Sequence, residues 1–111
     1  MDVKSADIVL CEFYFSDAKV AKKRPVLVLK DNLPHDDFLG IAISSKINKL
    51  FDDEFVIGLE DFAAGGIPVT SKVILRKTFV ISKGVVVKKY GSLKDAVFKD
   101  LHENLCGYLG C

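Results

Sequence analysis

DIVLCEFYFSDAKVAKKRPVLVL, residues Asp7 to Leu29, sets two apolar runs around a hydrophilic loop that ends in Lys22-Lys23-Arg24-Pro25. Ile8 to Phe15 and Val26 to Leu29 are rich in β-branched and aromatic side chains, so both runs predict strands. Pro25 cannot donate to a sheet ladder, which predicts that it takes the first position of the second strand. Arg24 is then expected at the mouth of a hairpin, its planar fork of donors aimed away from the core. A guanidinium fixed beside Lys22 and Lys23 is suited to binding or cleaving a phosphodiester.

Outward from this stretch the chain continues as β structure. Phe38 to Ser44 predicts a third strand, and Glu54 to Leu59 a fourth after the acidic turn at Asp52-Asp53. Phe62 to Pro68 reads as a loop around Gly65-Gly66. Val69 to Leu75, Thr78 to Ile81 and Val85 to Lys88 predict three more strands, the last two split by Ser82-Lys83-Gly84. Short strands at this spacing favour a small barrel over an open sheet. Leu93, Val97, Leu101 and Leu105, with Phe98 beside them, form an apolar stripe at helical spacing. Ser92 and Asp95 read as its N-terminal cap, and Gly107 or Gly110 as its end. The expected architecture is therefore mainly β: a small barrel of about six or seven strands with one C-terminal helix packed on it, residues 1–111 forming one domain.

Half of the 111 residues are hydrophobic, as in a globular chain. No stretch is apolar over the length needed to span a bilayer, and no signal-peptide pattern precedes the first strand, so a cytoplasmic protein is expected. Cys11, Cys106 and Cys111 make no C-x-x-C pair, and free thiols are the expectation for all three. The net charge of +1 hides an uneven distribution. Between Phe62 and Lys94 there is no acid, while Lys72, Arg76, Lys77, Lys83, Lys88, Lys89 and Lys94 all fall there. Gathered on one face with Lys22 to Arg24, these would form an electrostatic footprint for nucleic acid.

Several segments, in order, resemble the MazF/PemK-like toxins of bacterial toxin–antitoxin pairs. Their opening signature, GDIVLVxFPFSD followed by KRRPALVL, is similar to Asp7-Ile8-Val9-Leu10, Phe13-Tyr14-Phe15-Ser16-Asp17 and Lys23-Arg24-Pro25-Val26-Leu27-Val28-Leu29. Ile43-Ser44-Ser45-Lys46-Ile47 looks like the family's ITSKI, Gly65 to Lys72 like GGLKKPSV, and Ile81-Ser82-Lys83 with Lys88 to Leu93 like IDK…KKLGRL. The resemblance implies an SH3-like barrel and the toxin of a type II pair, acting as a metal-independent, sequence-selective endoribonuclease on single-stranded RNA. It implies a homodimer, and a cognate antitoxin whose acidic and apolar tail occupies the RNA groove. An eight-residue first strand apolar on both faces fits a wall covered by a second subunit. Cofactors and metals are not expected.

Such cleavage uses the substrate's 2′-OH as nucleophile, so the enzyme must move protons and stabilise an anionic phosphorane. The resemblance makes Arg24 catalytic and aligns Ser44 with the family's catalytic threonine, a hydroxyl able to donate to a phosphate oxygen. Lys22, Lys23, Ser45, Lys46, Arg76 and Lys77 are the expected RNA contacts, although Ser45 should point away from Ser44 along a strand. The family's R-x-D falls on Ile74 and Arg76, or in a register shifted by two residues on Arg76 and Thr78. Either way its acid is missing, with Glu12 and Asp17 the nearby substitutes. Phe13, Tyr14 and Phe15 suit base stacking or core packing, and His35 and His102 match no site. Two other readings remain: a catalytically weak or silent relative that binds RNA or antitoxin, and a CcdB-like poison of DNA gyrase on the same fold.

Overall fold

A computed structural model describes residues 2–14 and 21–111. Its strands are β1 (Asp7–Tyr14), β2 (Ala21–Leu33), β3 (Asp37–Ser44), β4 (Glu54–Ile57), β5 (Phe62–Gly65), β6 (Ser71–Ser82) and β7 (Val86–Leu93), followed by the helix α1 (Asp95–Leu109). Short 3₁₀ turns at Pro34–Asp36, Leu59–Asp61 and Lys83–Val85 connect them. The strands form one sheet in the order β4-β6-β3-β2-β1-β7-β5, every pair antiparallel. The two edge strands, β4 and β5, are joined in the chain through Gly58 and the turn at Leu59–Asp61, so the sheet curls back on itself. The expected small barrel with a C-terminal helix is what forms.

Alternation along the strands feeds two apolar cores. Ile8, Leu27, Ile41, Ile43, Val73 and Leu75 pack in one with Leu101 and Leu105 of α1, which press the helix onto the sheet. Val9, Cys11, Val26, Val28, Phe38 and Ile81 pack in the other beneath Val3, with Val85 and Val86 alongside. Both faces of β1 are thus buried within a single chain, Val9 and Cys11 each at 0 % exposure. The apolar second face of this strand therefore calls for no partner subunit. Burial also pushes the Cys11 thiol up to about 11, so it stays protonated in the core.

Some boundaries differ from the sequence-based expectation. Ser71 to Ser82 is one strand, because the chain crosses Arg76-Lys77 as an irregularity in β6 rather than a turn. β7 runs on to Leu93, and Ser92, paired with Asp7 across the sheet, donates its hydroxyl to the Asp7 carboxylate at 2.6 Å instead of capping α1. Lys94 occupies the N-cap position with no side-chain bond. Gly110 ends the helix in the left-handed conformation (φ 84°), as glycine at this position readily does. That reversal brings Cys111 back over the last turn, its N–H donating to the Cys106 carbonyl at 3.0 Å. With the two Cα atoms 5.2 Å apart, Cys106 and Cys111 form a disulfide, not the expected free thiols. Among the described residues, no helix is long and apolar enough to cross a membrane.

Candidate functional site

Pro25 does not begin β2. It lies in the interior of that strand, opposite Leu10 of β1. The sheet tolerates it because β2 first pairs with β3 at Val26↔Ala42, so at Pro25 one side of β2 is already a free edge. Beyond this point the strands part. β2 runs back through Arg24, Lys23 and Lys22 as a ribbon with β1, while β3 goes on through Ile43 and Ser44, paired only with β6. The gap between them is the floor of a groove of about 1240 Å³.

Lys23 and Arg24 line one wall of this groove, and Ser44, Ser45 and Lys46 line another. Lys77 and Thr78 of β6 reach it as well. Arg24 is exposed, and its only side-chain hydrogen bond among the described residues is from Nη1 to the Lys23 carbonyl at 3.3 Å, which engages a small part of its fork. Ser44 Oγ accepts from the Lys46 N–H at 3.2 Å, an arrangement that holds the oxygen and leaves the hydroxyl proton for another acceptor. Ser45 does not point away as expected. The strand ends at Ser44 and the chain bends, so both serines face the same space.

Two expected RNA contacts behave differently. Lys22 sits on β2 opposite Phe13 and is not among the groove-lining residues. Arg76 is withdrawn from the groove altogether: Nη1 bonds Asp53 Oδ1 at 2.7 Å and Nη2 bonds Glu54 Oε2 at 3.0 Å. β6 is irregular between Val73 and Thr78, and there the guanidinium turns to these acids while the next residue, Lys77, lines the groove. Other cations of the acid-free segment are also spoken for. Lys72 pairs with Glu54 at 2.8 Å, Lys89 with Asp7 at 3.2 Å and Lys83 with Asp36 at 3.8 Å, while Lys88 lies over the Tyr90 ring. Only Lys77 of that run lines the groove.

No carboxylate lines the groove among the described residues. Glu12 accepts a hydrogen bond from the Tyr14 hydroxyl on the exposed face of the ribbon, which raises the tyrosine's pKa. Asp17 and Phe15 lie outside the described residues. His35 and His102 line no part of the groove. Phe13 packs against Phe79 with ring centroids 5.9 Å apart, and both rings, with Tyr14, line the groove. Thr78, Ser71 and Tyr90 complete the polar lining and were not singled out as site residues. Thr78 and Ser71 flank the irregular part of β6, and only a reading that kept β6 continuous would have turned them inward. The lining thus combines cations, hydroxyls and rings, a set that matches a flexible polyanion carrying bases.

Residues 4–109 match the PemK-like, MazF-like toxin of type II toxin-antitoxin system family. The chain belongs to this family. Its fold is shared with solved members. One is the MazE–MazF structure (Form-III) from Deinococcus radiodurans, with a TM-score of 0.78 at 15% identity, over 97% of this chain and 96% of that one. Another is the Mycobacterium tuberculosis toxin MazF-mt6, with a TM-score of 0.69 at 21% identity, over 94% and 96% of the two chains. A third is an endoribonuclease in complex with its cognate antitoxin from a Mycobacterial species, with a TM-score of 0.74 at 14% identity, over 98% and 96%. No curated protein sequence matches.

Proposed function

We propose that this family member is the toxin of a type II pair and acts as a sequence-selective endoribonuclease on single-stranded RNA, using the substrate's 2′-OH. The observation that carries the proposal is the parting of β2 from β3, which sets the exposed fork of Arg24 and the hydroxyl of Ser44 around one groove. Arg24 donates to the non-bridging oxygens of the phosphorane as charge develops there, and Ser44 adds a neutral donor. Lys23, Lys46 and Lys77 hold flanking phosphates, Ser45 adds a polar contact, and Tyr14 offers a ring to a base. Cations and hydroxyls stabilise the phosphorane without a metal, as the family likeness implies, while water takes the 2′-OH proton and returns one to the departing 5′ oxygen.

The antitoxin would use the same groove, where an acidic and apolar segment meets the cations and the rings of Phe13 and Phe79. A homodimer and a cytoplasmic location belong to the proposal on family likeness alone. Purified protein incubated with single-stranded RNA in EDTA should yield fragments with a 5′-hydroxyl and a 2′,3′-cyclic or 3′-phosphate. Activity that needs magnesium would overturn this mechanism.

The lack of a carboxylate in the groove among the described residues favours one second reading, a relative that binds RNA or antitoxin and cleaves slowly or not at all. General acid–base help is worth about a hundredfold or more. RNA binding with no cleavage over hours would select that reading.

A further inference from the structure

Behind the groove lies a buried ionic network that the cleavage chemistry does not use. The Glu54 side chain is 1% exposed, Asp53 8% and Lys72 10%. Lys72 Nζ donates to Glu54 Oε1 at 2.8 Å and to the Lys49 carbonyl at 3.0 Å. Glu54 Oε1 also accepts the Phe51 N–H at 3.0 Å, and Arg76 stacks over the Phe51 ring at 5.4 Å. Asp53 takes the Arg76 guanidinium at 2.7 Å and the Arg76 N–H at 3.1 Å, while its carbonyl accepts the Leu75 N–H at 2.9 Å.

These bonds tie together two segments that both reach the groove. One is residues 45–53, which leave β3 just after Ser44 and carry Ser45 and Lys46. The other is the irregular part of β6, where register is lost between Ile41↔Thr78 and Ile43↔Val73, and where Ile74 and Lys77 face the groove. Lys72 is itself the cross-strand partner of Ser44. An irregular strand and a long loop have few ladder bonds of their own to fix them, and here the network supplies what the ladder does not.

Resting on the proposed cleavage function, we infer that Asp53, Glu54, Lys72 and Arg76 are positioning residues that hold the Ser44–Lys46 wall and Lys77 in place opposite Arg24. None of them touches the substrate. Their effect is on where Ser44 stands when charge develops on the phosphate, and a misplacement of about 1 Å lowers turnover by about a hundredfold. Binding, spread over cations on both walls, suffers less.

The test compares Arg76→Met, Arg76→Lys and Glu54→Gln with the wild type by amide hydrogen exchange, single-turnover cleavage and RNA affinity. In Arg76→Met, exchange should rise by about tenfold or more at residues 45–53 and 74–78 and stay unchanged at residues 26–28 and 101–105, since local opening draws on local bonds. Cleavage should fall by about tenfold to a hundredfold with affinity within about threefold. Arg76→Lys keeps the charge but cannot bridge both acids at once, so it should recover part of the rate. If Arg76→Met does not fold, Glu54→Gln, which keeps the side-chain shape, carries the same expectations. Exchange that rises evenly over the whole chain, or local loosening with an unchanged cleavage rate, overturns the inference. If the wild type binds RNA without cleaving it, the proposed activity fails, and the exchange pattern decides the positioning role on its own.

Discussion

Replacing Arg24 by Ala separates chemistry from folding. Arg24 is exposed, forms no ion pair among the described residues, and makes one long hydrogen bond, 3.3 Å, to the carbonyl of the residue before it. Surface changes of this kind shift stability by less than about 0.5 kcal/mol, so melting should move by less than about 4 °C. The transition state is different. Losing one preorganised donor to a developing oxyanion lowers turnover by about a hundredfold to a thousandfold, or about 2.7–4 kcal/mol. Arg24→Lys keeps the positive charge and gives up the bidentate fork, so it should stay within about tenfold of the alanine variant. The assay is single-turnover cleavage of a single-stranded RNA at saturating enzyme, with thermal melting of each variant as a control. If both variants fold and cleave at the native rate, Arg24 is a surface side chain and the groove chemistry has been misread.

Ser44→Thr restores the family's residue and its fixed rotamer and should match or exceed the native rate, while Ser44→Ala should slow cleavage by about tenfold or more; equal rates in all three would remove Ser44 from the site. Lys72, by hydrogen-bonding Glu54, is the main reason its carboxyl falls from 4.5 to about 2; at Asp53 burial pushes upward, but the Arg76 bonds outweigh it and the net shift is down. Carboxyls depressed by folding stabilise the native state fully above their unfolded pKa and lose that contribution as pH falls through the folded one. Melting temperature should therefore hold above about pH 4.5 and drop towards pH 2, with a shallower drop in Glu54→Gln; a native profile flat to pH 2 would contradict the network's electrostatics. Arg76→Asp, which the sequence alignment suggests as a way to restore the missing acid, would set a third carboxylate against Asp53 and Glu54 and should unfold or badly destabilise the chain. Thr78→Asp puts the acid into the groove itself, and should speed cleavage and weaken RNA binding if proton transfer limits the native enzyme; slower cleavage with unchanged affinity would show that the base is supplied elsewhere.

The difference between those two substitutions marks how far the sequence could be read. Local pattern was enough for the strands, since apolar alternation and turn residues act over a few neighbours. It also singled out Arg24 and Ser44, which stand in contiguous motifs of the resemblance and both line the groove. Failures came where a residue's surroundings are distant in the chain. Arg76 looked like an RNA contact in an acid-free run, yet its partners Asp53 and Glu54 lie 23 and 22 residues earlier and meet it only when β4 pairs with β6. Ser92 looked like a helix cap, and only the pairing of β7 with β1 gives its hydroxyl to Asp7. The cysteine pairing escaped because it depends on the backbone reversal at Gly110.

Pro25 shows how a correct local argument can still misplace a residue. A proline lacks the ladder donor wherever it stands, and from sequence alone the start of a strand satisfies that rule. The sheet satisfies it in a second way, by keeping β2 paired to β1 and releasing β3 at that point. The same missing N–H thus favours the gap that Arg24 and Ser44 line. Pro25→Val should fold, since valine suits a strand and restores the donor, and it should favour closer pairing of β2 with β3 beyond Val26↔Ala42. Closure of the groove floor would then weaken RNA binding with the cations of both walls intact. If Pro25→Val binds and cleaves as the native chain does, the parting of these strands is set by the network behind β6 and not by the proline.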